Sequence, residues 1–146
     1  MTYAYIRVST EEQNLENQKF AISEKYQIDE WFYEKKSGMI DYHKRNLGLL
    51  ITKLKKGDTL VITEISRLGR SLNMIFSIMN ELHLQGVRII AIKNGFDLNP
   101  NVEHDVTSQV LMFAFGLSAQ IERDLISERT KQGLAVAKAN GKRIGR

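Results

Sequence analysis

The 146-residue sequence is 42% hydrophobic, carries a formal charge of +4 and contains no cysteine. A chain of this length can bury roughly 70% of its unfolded surface as one domain, and the lack of cysteine excludes disulfide bonds, thiolate metal ligands and a thiol nucleophile. The three histidines lack metal-ligand spacing, and neither an apolar run nor a leader points to a membrane, so we expect a cytoplasmic protein without a metal site.

The first hundred residues alternate between strand-like and helix-like segments. In chain order these are YAYIRV, QNLENQKFAISEKY, WFYEK, NLGLLITKLKKG, DTLVITEI, LNMIFSIMNELHLQG and VRIIAIKN. The strand-like segments are rich in apolar and β-branched residues, as strands covered on both faces are. Gly57 and Gly86 follow helix-like segments, where a helix C-terminus favours a residue that tolerates positive φ. The alternation predicts an α/β fold with a central, mostly parallel sheet flanked by helices on both faces.

After Pro100 the sequence predicts one long helix, from Glu103 to about Ala139. Apolar residues recur along it at three- and four-residue steps, namely Val106, Val110, Phe113, Leu117, Ile121 and Leu125. About 35 helical residues span about 50 Å, more than the roughly 40 Å diameter of a compact domain of this size. We therefore expect the stripe to contact a second subunit. A helix that breaks at Gly116 or Gly133 is the alternative.

The positive charge is concentrated at the C-terminal end. From Gln120 to Arg146 there are seven lysines and arginines against three acidic residues, whereas the preceding 119 residues hold 14 of each. A neutral body with a basic extension predicts a polyanionic partner that the extension binds. A solubilising tail is the alternative that charge alone leaves open.

Two predicted strands lead into segments that combine arginine with serine. YIRVST contains Arg7 and Ser9, and ISRLGRS contains Arg67 and Arg70. Because the carboxyl ends of parallel strands share one sheet edge, these side chains could converge on one pocket. Ser9 also begins a capping box with Glu12, which is a purely structural explanation for it. Arginine is a poor general base but binds phosphate oxygens well, so a hydroxyl among guanidinium groups favours phosphoryl transfer.

Five segments together resemble the catalytic domain of small serine site-specific recombinases, the resolvase/invertase family. They are YIRVSTEEQNLENQ, KKSG, KLKKGD, ISRLGRS and IERDLISERTKQGLAVAKANGKRIGR. The resemblance covers essentially the whole chain and implies a resolvase-like α/β domain with a long dimerisation helix. It implies strand exchange on double-stranded DNA through a 5′-phosphoserine protein–DNA intermediate, by a homodimer that forms a tetramer in the synaptic complex. It implies no cofactor, no catalytic metal and a bacterial-type cytoplasmic location at the nucleoid.

The resemblance also implies roles for individual residues. The nucleophile falls on Ser9, and the other catalytic positions are Arg7, Arg45, Arg67, Arg70 and Gln18. Supporting positions are Tyr5, Lys53, Asp58 and Ser66. Glu128 and Arg129 match the ERT motif of the long helix. The candidate DNA-binding residues are Arg123, Arg129, Lys138, Lys142, Arg143 and Arg146. The candidate dimer interface comprises Val106, Val110, Phe113, Leu117 and Ile121.

Two positions depart from the family pattern. Many members have aspartate where this chain has Ser66, which leaves the acid for the leaving group unassigned, and many have proline where it has Asn46. The expected organisation is a catalytic core in residues 1–100, the dimerisation helix in 101–139 and the start of a DNA-binding arm in 140–146. Relatives continue into a helix-turn-helix domain, which these residues lack, so the chain is expected to be truncated after the catalytic unit, with a naturally short protein as the alternative. The alternatives are a non-catalytic DNA-binding module and a receiver-like signalling domain, which would need acidic strand ends.

Overall fold

The computed structural model describes residues 1–8, 12–102 and 106–141. Within them, one sheet contains five strands: β1 (Thr2–Arg7), β2 (Glu30–Glu34), β3 (Thr59–Ile62), β4 (Arg88–Ala91) and β5 (Phe96–Leu98). Their spatial order is β2-β1-β3-β4-β5, and β1 to β4 are parallel while β5 is antiparallel to β4. The mostly parallel sheet that the sequence predicts is confirmed. The short strand β5 was not predicted, because three residues give no periodic signal.

The described residues also form four helices: α1 (Glu12–Ser23), α2 (Asn46–Lys53), α3 (Leu72–Leu84) and α4 (Val106–Ala139). Two one-turn 3-10 helices, Tyr42–Lys44 and Ile65–Arg67, lie before α2 and after β3. Helices cover both faces of the sheet, as predicted.

The sheet separates two hydrophobic clusters because successive strand residues point to opposite faces. On β1, Ala4 and Ile6 pack in the cluster that contains Ile22 of α1. Tyr3 and Tyr5 point to the other face, into the larger cluster built from α2 and α3. That larger cluster includes Leu47, Leu50, Ile51, Ile75, Ile78, Met79 and Leu82. Each fully buried aliphatic side chain contributes roughly 1.5–3 kcal/mol, so both clusters stabilise the sheet whose edge carries the candidate site.

Helix α3 begins and ends with identifiable caps. The hydroxyl of Ser71 accepts a hydrogen bond from the backbone N–H of Met74 at 3.2 Å. At the other end Gly86 adopts φ 77°, and its N–H and that of Val87 donate to the carbonyls of His83 and Leu82. This is the double hydrogen bond of a Schellman cap, as predicted for Gly86. Gly57 also has positive φ, but it lies in the turn before β3 and not at the end of a helix.

Helix α4 runs without interruption through Gly116 and Gly133. Its 34 residues correspond to about 51 Å. The prediction of one long helix is therefore confirmed, although the described helix starts at Val106, and residues 103–105 lie outside the described part. Helix α4 packs against α3. Among the described residues, no helix combines the length and apolar character needed to cross a membrane.

Candidate active site

The candidate site lies at the sheet edge where the parallel strands end. Strands β1 and β2 end at Arg7 and Glu34, which are register partners, and the backbone N–H of Val8 donates to the carbonyl of Glu34 at 2.9 Å. Strand β3 ends at Ile62, and the 3-10 helix Ile65–Arg67 follows within three residues. The topology therefore brings the segments around Arg7 and Arg67 together, as expected for the carboxyl edge of a parallel sheet.

Arg7 is buried, with 5% of its surface exposed, and its guanidinium is bound by main-chain carbonyls. Its Nε donates to the carbonyl of Arg67 and its Nη2 to that of Ser66, both at 2.9 Å, and its Nη1 donates to the carbonyl of Lys36 at 3.4 Å. These three bonds fix the orientation of the guanidinium plane.

The arginines of the site lie close enough to affect one another. Burial lowers the pKa of Arg7, and the proximity of Arg67, Arg45 and Arg70 lowers it further, whereas Tyr5 acts in the opposite direction. A cluster of cations in a partly buried site favours an anion that balances their charge.

Arg67 is half-buried and interacts with both a carbonyl and a carboxylate. Its Nη1 donates to the carbonyl of Arg7 at 3.1 Å, and its Nη2 donates to Oε1 of Glu64 at 2.9 Å. Its buried Nε–H has no hydrogen-bond partner among the described residues.

Arg45 is the largest buried side chain of the site, with 2% exposure. It stands between the 3-10 helix Tyr42–Lys44 and α2, in extended backbone. Its Nη2 donates to the carbonyl of Leu68 at 2.6 Å, whereas its Nε and Nη1 have no partner in the part of the chain that the structure describes. Buried N–H groups are rarely left unpaired, so these two are candidates for binding a ligand.

Gly38, in the KKSG segment, lies between Arg7 and Arg70. A Cβ atom at Gly38 would lie 3.0 Å from Cζ of Arg7 and 3.3 Å from Cγ of Arg70. The backbone N–H of Arg70 donates to the carbonyl of Gly38 at 3.2 Å. The exposed Arg70 also lines a cleft of about 290 Å³ together with Met39, Ser71 and Met74. The absence of a side chain at position 38 thus permits the two arginines to approach each other.

Gln18, on α1, connects the helix to the end of β1. Its amide nitrogen donates to the carbonyl of Arg7 at 3.2 Å and to that of Asn14 at 3.1 Å. Its amide oxygen accepts a hydrogen bond from the buried hydroxyl of Thr63 at 3.4 Å. Gln18 therefore contacts the backbone of the arginine cluster, and its 3% exposure shows that it is buried.

Tyr5 and Glu34 lie beneath the arginines. The hydroxyl of Tyr5 is buried and has no partner among the described residues. Burial raises the pKa of this phenol, opposed by Arg45 and Arg7, while Glu34 raises it further. The carboxylate of Glu34 accepts the backbone N–H of Asn46, the first residue of α2, where a negative charge is favourable.

Lys53 and Asp58 lie at the opposite edge of the sheet, where strands begin. Nζ of Lys53 is 2.6 Å from Oε1 of Glu30, the first residue of β2. The carboxylate of Asp58 binds the N-terminal ammonium group of Met1 at 2.7 Å. The structure does not bring these two predicted supporting residues together with the arginines. Their contacts are those of groups that stabilise the sheet.

Several other predicted site residues cannot be placed with the cluster. Ser9 lies in residues 9–11, outside the described part of the chain, and so do Lys142, Arg143 and Arg146. Arg123, Arg129 and Lys138 are exposed on α4. The described residues contain no group of acidic or histidine side chains that could hold a metal ion.

The predicted interface residues on α4 are exposed. Val110, Phe113, Leu117 and Ile121 have between 50% and 72% of their surface accessible. The side chain of Val106 lies outside the described part. Exposed apolar residues that recur along one helix face are typical of a surface that contacts another protein.

Sequence reasoning missed Glu34, Glu64 and Gly38. The two glutamates immediately follow or end predicted strands, so their position at the carboxyl edge was available as a signal. Their hydrogen bonds to the N-terminus of α2 and to Arg67 depend on tertiary packing. Gly38 belongs to the KKSG segment, but its close contact with Arg7 and Arg70 depends on tertiary structure.

The chain is similar to known proteins over nearly its whole length. The family model described as "Resolvase, N terminal domain" matches residues 2–143. A resolvase of Clostridium perfringens is 39% identical over 148 residues, covering all of this chain and 76% of that protein. The DNA-invertase hin of Salmonella typhimurium is 34% identical over 145 residues, covering 99% and 73%. The crystal structure of a resolvase family site-specific recombinase from Streptococcus pneumoniae matches with a TM-score of 0.71 and 25% identity, over 95% of this chain and 97% of that one.

Proposed function

We propose that this chain, which belongs to the resolvase family of site-specific recombinases, cuts and rejoins DNA by transesterification through Ser9. Family membership supports a role in site-specific DNA recombination. Beyond that role, we propose that the reaction passes through a covalent 5′-phosphoserine intermediate and that the cluster arginines bind the phosphate. The observation that carries it is the convergence of four arginines at the edge where β1 leads into Ser9.

The arginine cluster has the chemistry to bind a phosphodiester. Arg45 and Arg67 present three buried N–H groups that no described residue accepts. Leaving a buried donor unpaired costs about 1–3 kcal/mol, and more when the group is charged, and the non-bridging oxygens of a phosphodiester would offset that cost by accepting charge-assisted hydrogen bonds. Guanidinium groups would also stabilise the charge that grows on those oxygens during substitution at phosphorus.

Ser9 follows Arg7 by two positions in the chain. Two residues of chain span at most about 7 Å, which limits how far Ser9 can lie from Arg7. In the proposed reaction the Oγ atom of Ser9 attacks phosphorus, the Ser–O–P bond forms, and the bond from phosphorus to the 3′ oxygen of the DNA breaks. The serine loses a proton and the 3′ oxygen gains one. Attack by the 3′ hydroxyl of another strand reverses these steps, so the exchange needs no nucleotide.

We propose that α4 provides the dimer interface and that the basic C-terminal residues bind DNA. Helix α4 presents Phe113 with 72% of its surface exposed, and a second copy of the helix would bury this face. Beyond it, residues 140–146 would begin an arm that contacts the phosphate backbone, where basic residues supply affinity without reading sequence. Residues 1–100 would then form the catalytic core, and residues 101–139 the dimerisation helix.

The experiment that tests the proposal is covalent trapping on DNA. The full-length gene product is mixed with supercoiled plasmid that carries the DNA flanking its gene, and adducts are separated under denaturing conditions. We expect an adduct with the unmutated protein and none with Ser9→Ala, while both proteins bind the DNA equally. Ser9→Ala that still forms the adduct would exclude Ser9 as the nucleophile.

The rival is a non-catalytic α/β module in which Ser9 is a helix cap and the arginines bind phosphate without reaction. It predicts DNA binding with no adduct from either protein. It also predicts that Ser9→Ala lowers thermal stability, because loss of an N-cap costs about 1 kcal/mol. A receiver-like signalling domain would need a cluster of acidic residues at the strand ends. At the described edge Glu34 is bound to the N–H of Asn46 and Glu64 to Arg67, and the described residues hold no acidic group suited to a metal ion.

A further inference from the structure

We infer that Glu64 is the residue that positions Arg67 for catalysis, by holding its guanidinium at the edge of the site with a carboxylate. This inference rests on the proposed function, because it concerns how one of the phosphate-binding arginines is oriented. Position 66 of this chain is a serine and supplies no carboxylate next to Arg67, so Glu64 provides one instead.

The contacts of Glu64 place it at the centre of a small network. Its Oε1 accepts a hydrogen bond from Nη2 of Arg67 at 2.9 Å, and its Oε2 accepts one from the hydroxyl of Ser66 at 2.9 Å. Both carboxylate oxygens therefore accept hydrogen bonds from residues two and three positions later in the chain. The exposed Lys93, on the loop between β4 and β5, lies 3.4 Å from Oε1 and adds a weaker third contact.

Glu64 is the one carboxylate among the described residues that forms an ion pair with an arginine of the cluster. Arg7 and Arg45 are held by main-chain carbonyls. A carbonyl binds a guanidinium through a neutral acceptor, whereas a carboxylate gives a charge-assisted bond that is roughly twice as strong. The pair is also partly shielded from solvent, with 19% of the Arg67 side chain and 28% of the Glu64 side chain exposed.

Two of the three guanidinium nitrogens of Arg67 have fixed partners. With Nη2 bound to Glu64 and Nη1 bound to the carbonyl of Arg7, the guanidinium is fixed at two of its three nitrogens. Its Nε–H has no partner among the described residues and is left for a ligand. Loss of Glu64 would leave one fixed point, about which the guanidinium can rotate.

The backbone around Glu64 is itself held in place. The N–H of Ile65 donates to the side-chain oxygen of Asn94 at 2.9 Å, which joins the start of the 3-10 helix to the loop between β4 and β5. The pair with Arg67 lowers the pKa of Glu64, opposed by burial, and Ser66 contributes in the same direction as Arg67. The carboxylate is therefore ionised at neutral pH, as the positioning role requires.

Glu64→Ala and Glu64→Gln test this inference in the full-length protein. In single-turnover cleavage of the plasmid we expect Glu64→Ala to be slower by about a hundredfold, since small displacements of catalytic groups cost that much. Glu64→Gln keeps one acceptor and should be slower by about tenfold. DNA affinity should change by less than about twofold, because the other cluster arginines and the basic C-terminal residues still bind phosphate. Asp97→Ala, which removes the carboxylate of the exposed pair with Arg88, is the matched control, and its rate should equal that of the unmutated protein.

A second readout does not depend on activity. In the free protein with ¹⁵N-labelled arginine, the Nε–H signal of Arg67, assigned with Arg67→Lys, should report a rigid side chain with an order parameter above about 0.8. In both Glu64 variants that value should fall below about 0.6, and in Asp97→Ala it should not change. A glutamate that only stabilises the fold would lower the melting temperature and leave the mobility of Arg67 and the cleavage rate of the folded protein unchanged.

The two readouts separate the possible failures. If the unmutated protein cleaves DNA and Glu64→Ala cleaves at the same rate, the inference is wrong and the proposed function stands. If Glu64→Ala does not fold, the cleavage rate of Glu64→Gln is compared instead, and a rate equal to that of the unmutated protein shows that the inference is wrong. If the unmutated protein forms no adduct at all, the proposed function fails, and the mobility of Arg67 alone decides whether Glu64 positions it.

Discussion

Arg7 and Arg67 bind each other's backbone reciprocally. Nε of Arg7 donates to the carbonyl of Arg67 at 2.9 Å, and Nη1 of Arg67 donates to the carbonyl of Arg7 at 3.1 Å. The two residues are 60 positions apart in the chain, so this double contact joins the end of β1 to the 3-10 helix after β3. Each arginine is thus both a candidate phosphate ligand and part of the framework that orients the other.

Gly38→Ala should reduce DNA cleavage without unfolding the protein. The new methyl group would lie 3.0 Å from Cζ and Nη2 of Arg7, and the guanidinium would have to move. We expect the cleavage rate to fall by at least about tenfold, with a loss of unfolding free energy of about 1–3 kcal/mol. Single-turnover cleavage and urea unfolding measure the two effects.

Gly133→Ala is the matched control for Gly38→Ala. A Cβ atom at Gly133 would meet no atom within 4 Å, because this position is exposed within α4. The substitution should leave cleavage unchanged and stabilise the helix by about 0.5–1 kcal/mol. Equal losses of activity in the two variants would show that the contact at Gly38 is not the cause.

Arg45→Met should separate stability from activity. Arg45 is 2% exposed and two of its nitrogens lack described partners, so replacing it with an apolar side chain of similar size removes an incompletely compensated buried charge. We expect the free energy of unfolding to stay constant or to rise by about 1–4 kcal/mol, while cleavage falls by at least about a hundredfold.

The control for Arg45→Met is Arg88→Met. Arg88 pairs with Asp97 at the far edge of the sheet and is partly exposed, so its loss should cost under about 1 kcal/mol and leave cleavage unchanged. A strong destabilisation by Arg45→Met would show that the arginine is retained for folding and not for binding an anion.

Phe113→Glu should weaken self-association. Phe113 belongs to the exposed apolar face of α4, and a carboxylate placed there would be buried against a partner subunit without compensation. We expect the dissociation constant of the proposed dimer to rise by more than about tenfold, which corresponds to 1.4 kcal/mol. Sedimentation equilibrium measures it. Thr130→Glu, an exposed position on the other side of the same helix, should leave the constant unchanged.

Glu64 should make stability depend on acid pH in a defined direction. Its pKa in the folded protein is held below its ordinary value of 4.5, chiefly by the hydrogen bond from Arg67. Its contribution is therefore fully present above about pH 4.5 and is lost as the pH falls through the lower folded value. The difference in unfolding free energy between the unmutated protein and Glu64→Gln should narrow from pH 6 to about pH 3. Urea unfolding at both pH values checks this, and a constant difference would contradict it.

The sequence was sufficient to predict most of the architecture. Strands β1, β3 and β4 are mainly apolar, and helices α2 and α3 have amphipathic spacing. These local patterns and the rule for parallel sheets were enough to bring Arg7 and Arg67 to one edge. Strand β5 pairs with β4 over only three residues, and its place depends on the turn before it. No local pattern could have predicted that pairing.

The details of the site depended on packing that a sequence does not display. Arg45 follows no strand, and only its resemblance to a family position suggested it. Its burial depends on how α2 sits against the sheet. The packing of α2 against the sheet also brings its N-terminus to the carboxylate of Glu34, which ends β2. Lys53 and Asp58 also match family positions, but they lie at the opposite edge of the sheet from the arginines.

The central claim is that the hydroxyl of Ser9 becomes covalently linked to DNA phosphorus beside the arginine cluster. The most direct measurement is mass spectrometry of the protein–DNA adduct after digestion with nuclease and protease. The account predicts that the peptide containing Ser9 carries a nucleotide through its 5′ phosphate, and that a free 3′ hydroxyl is found at the cut. A nucleotide attached to any other residue, or cleavage that leaves every peptide unmodified, would contradict the account.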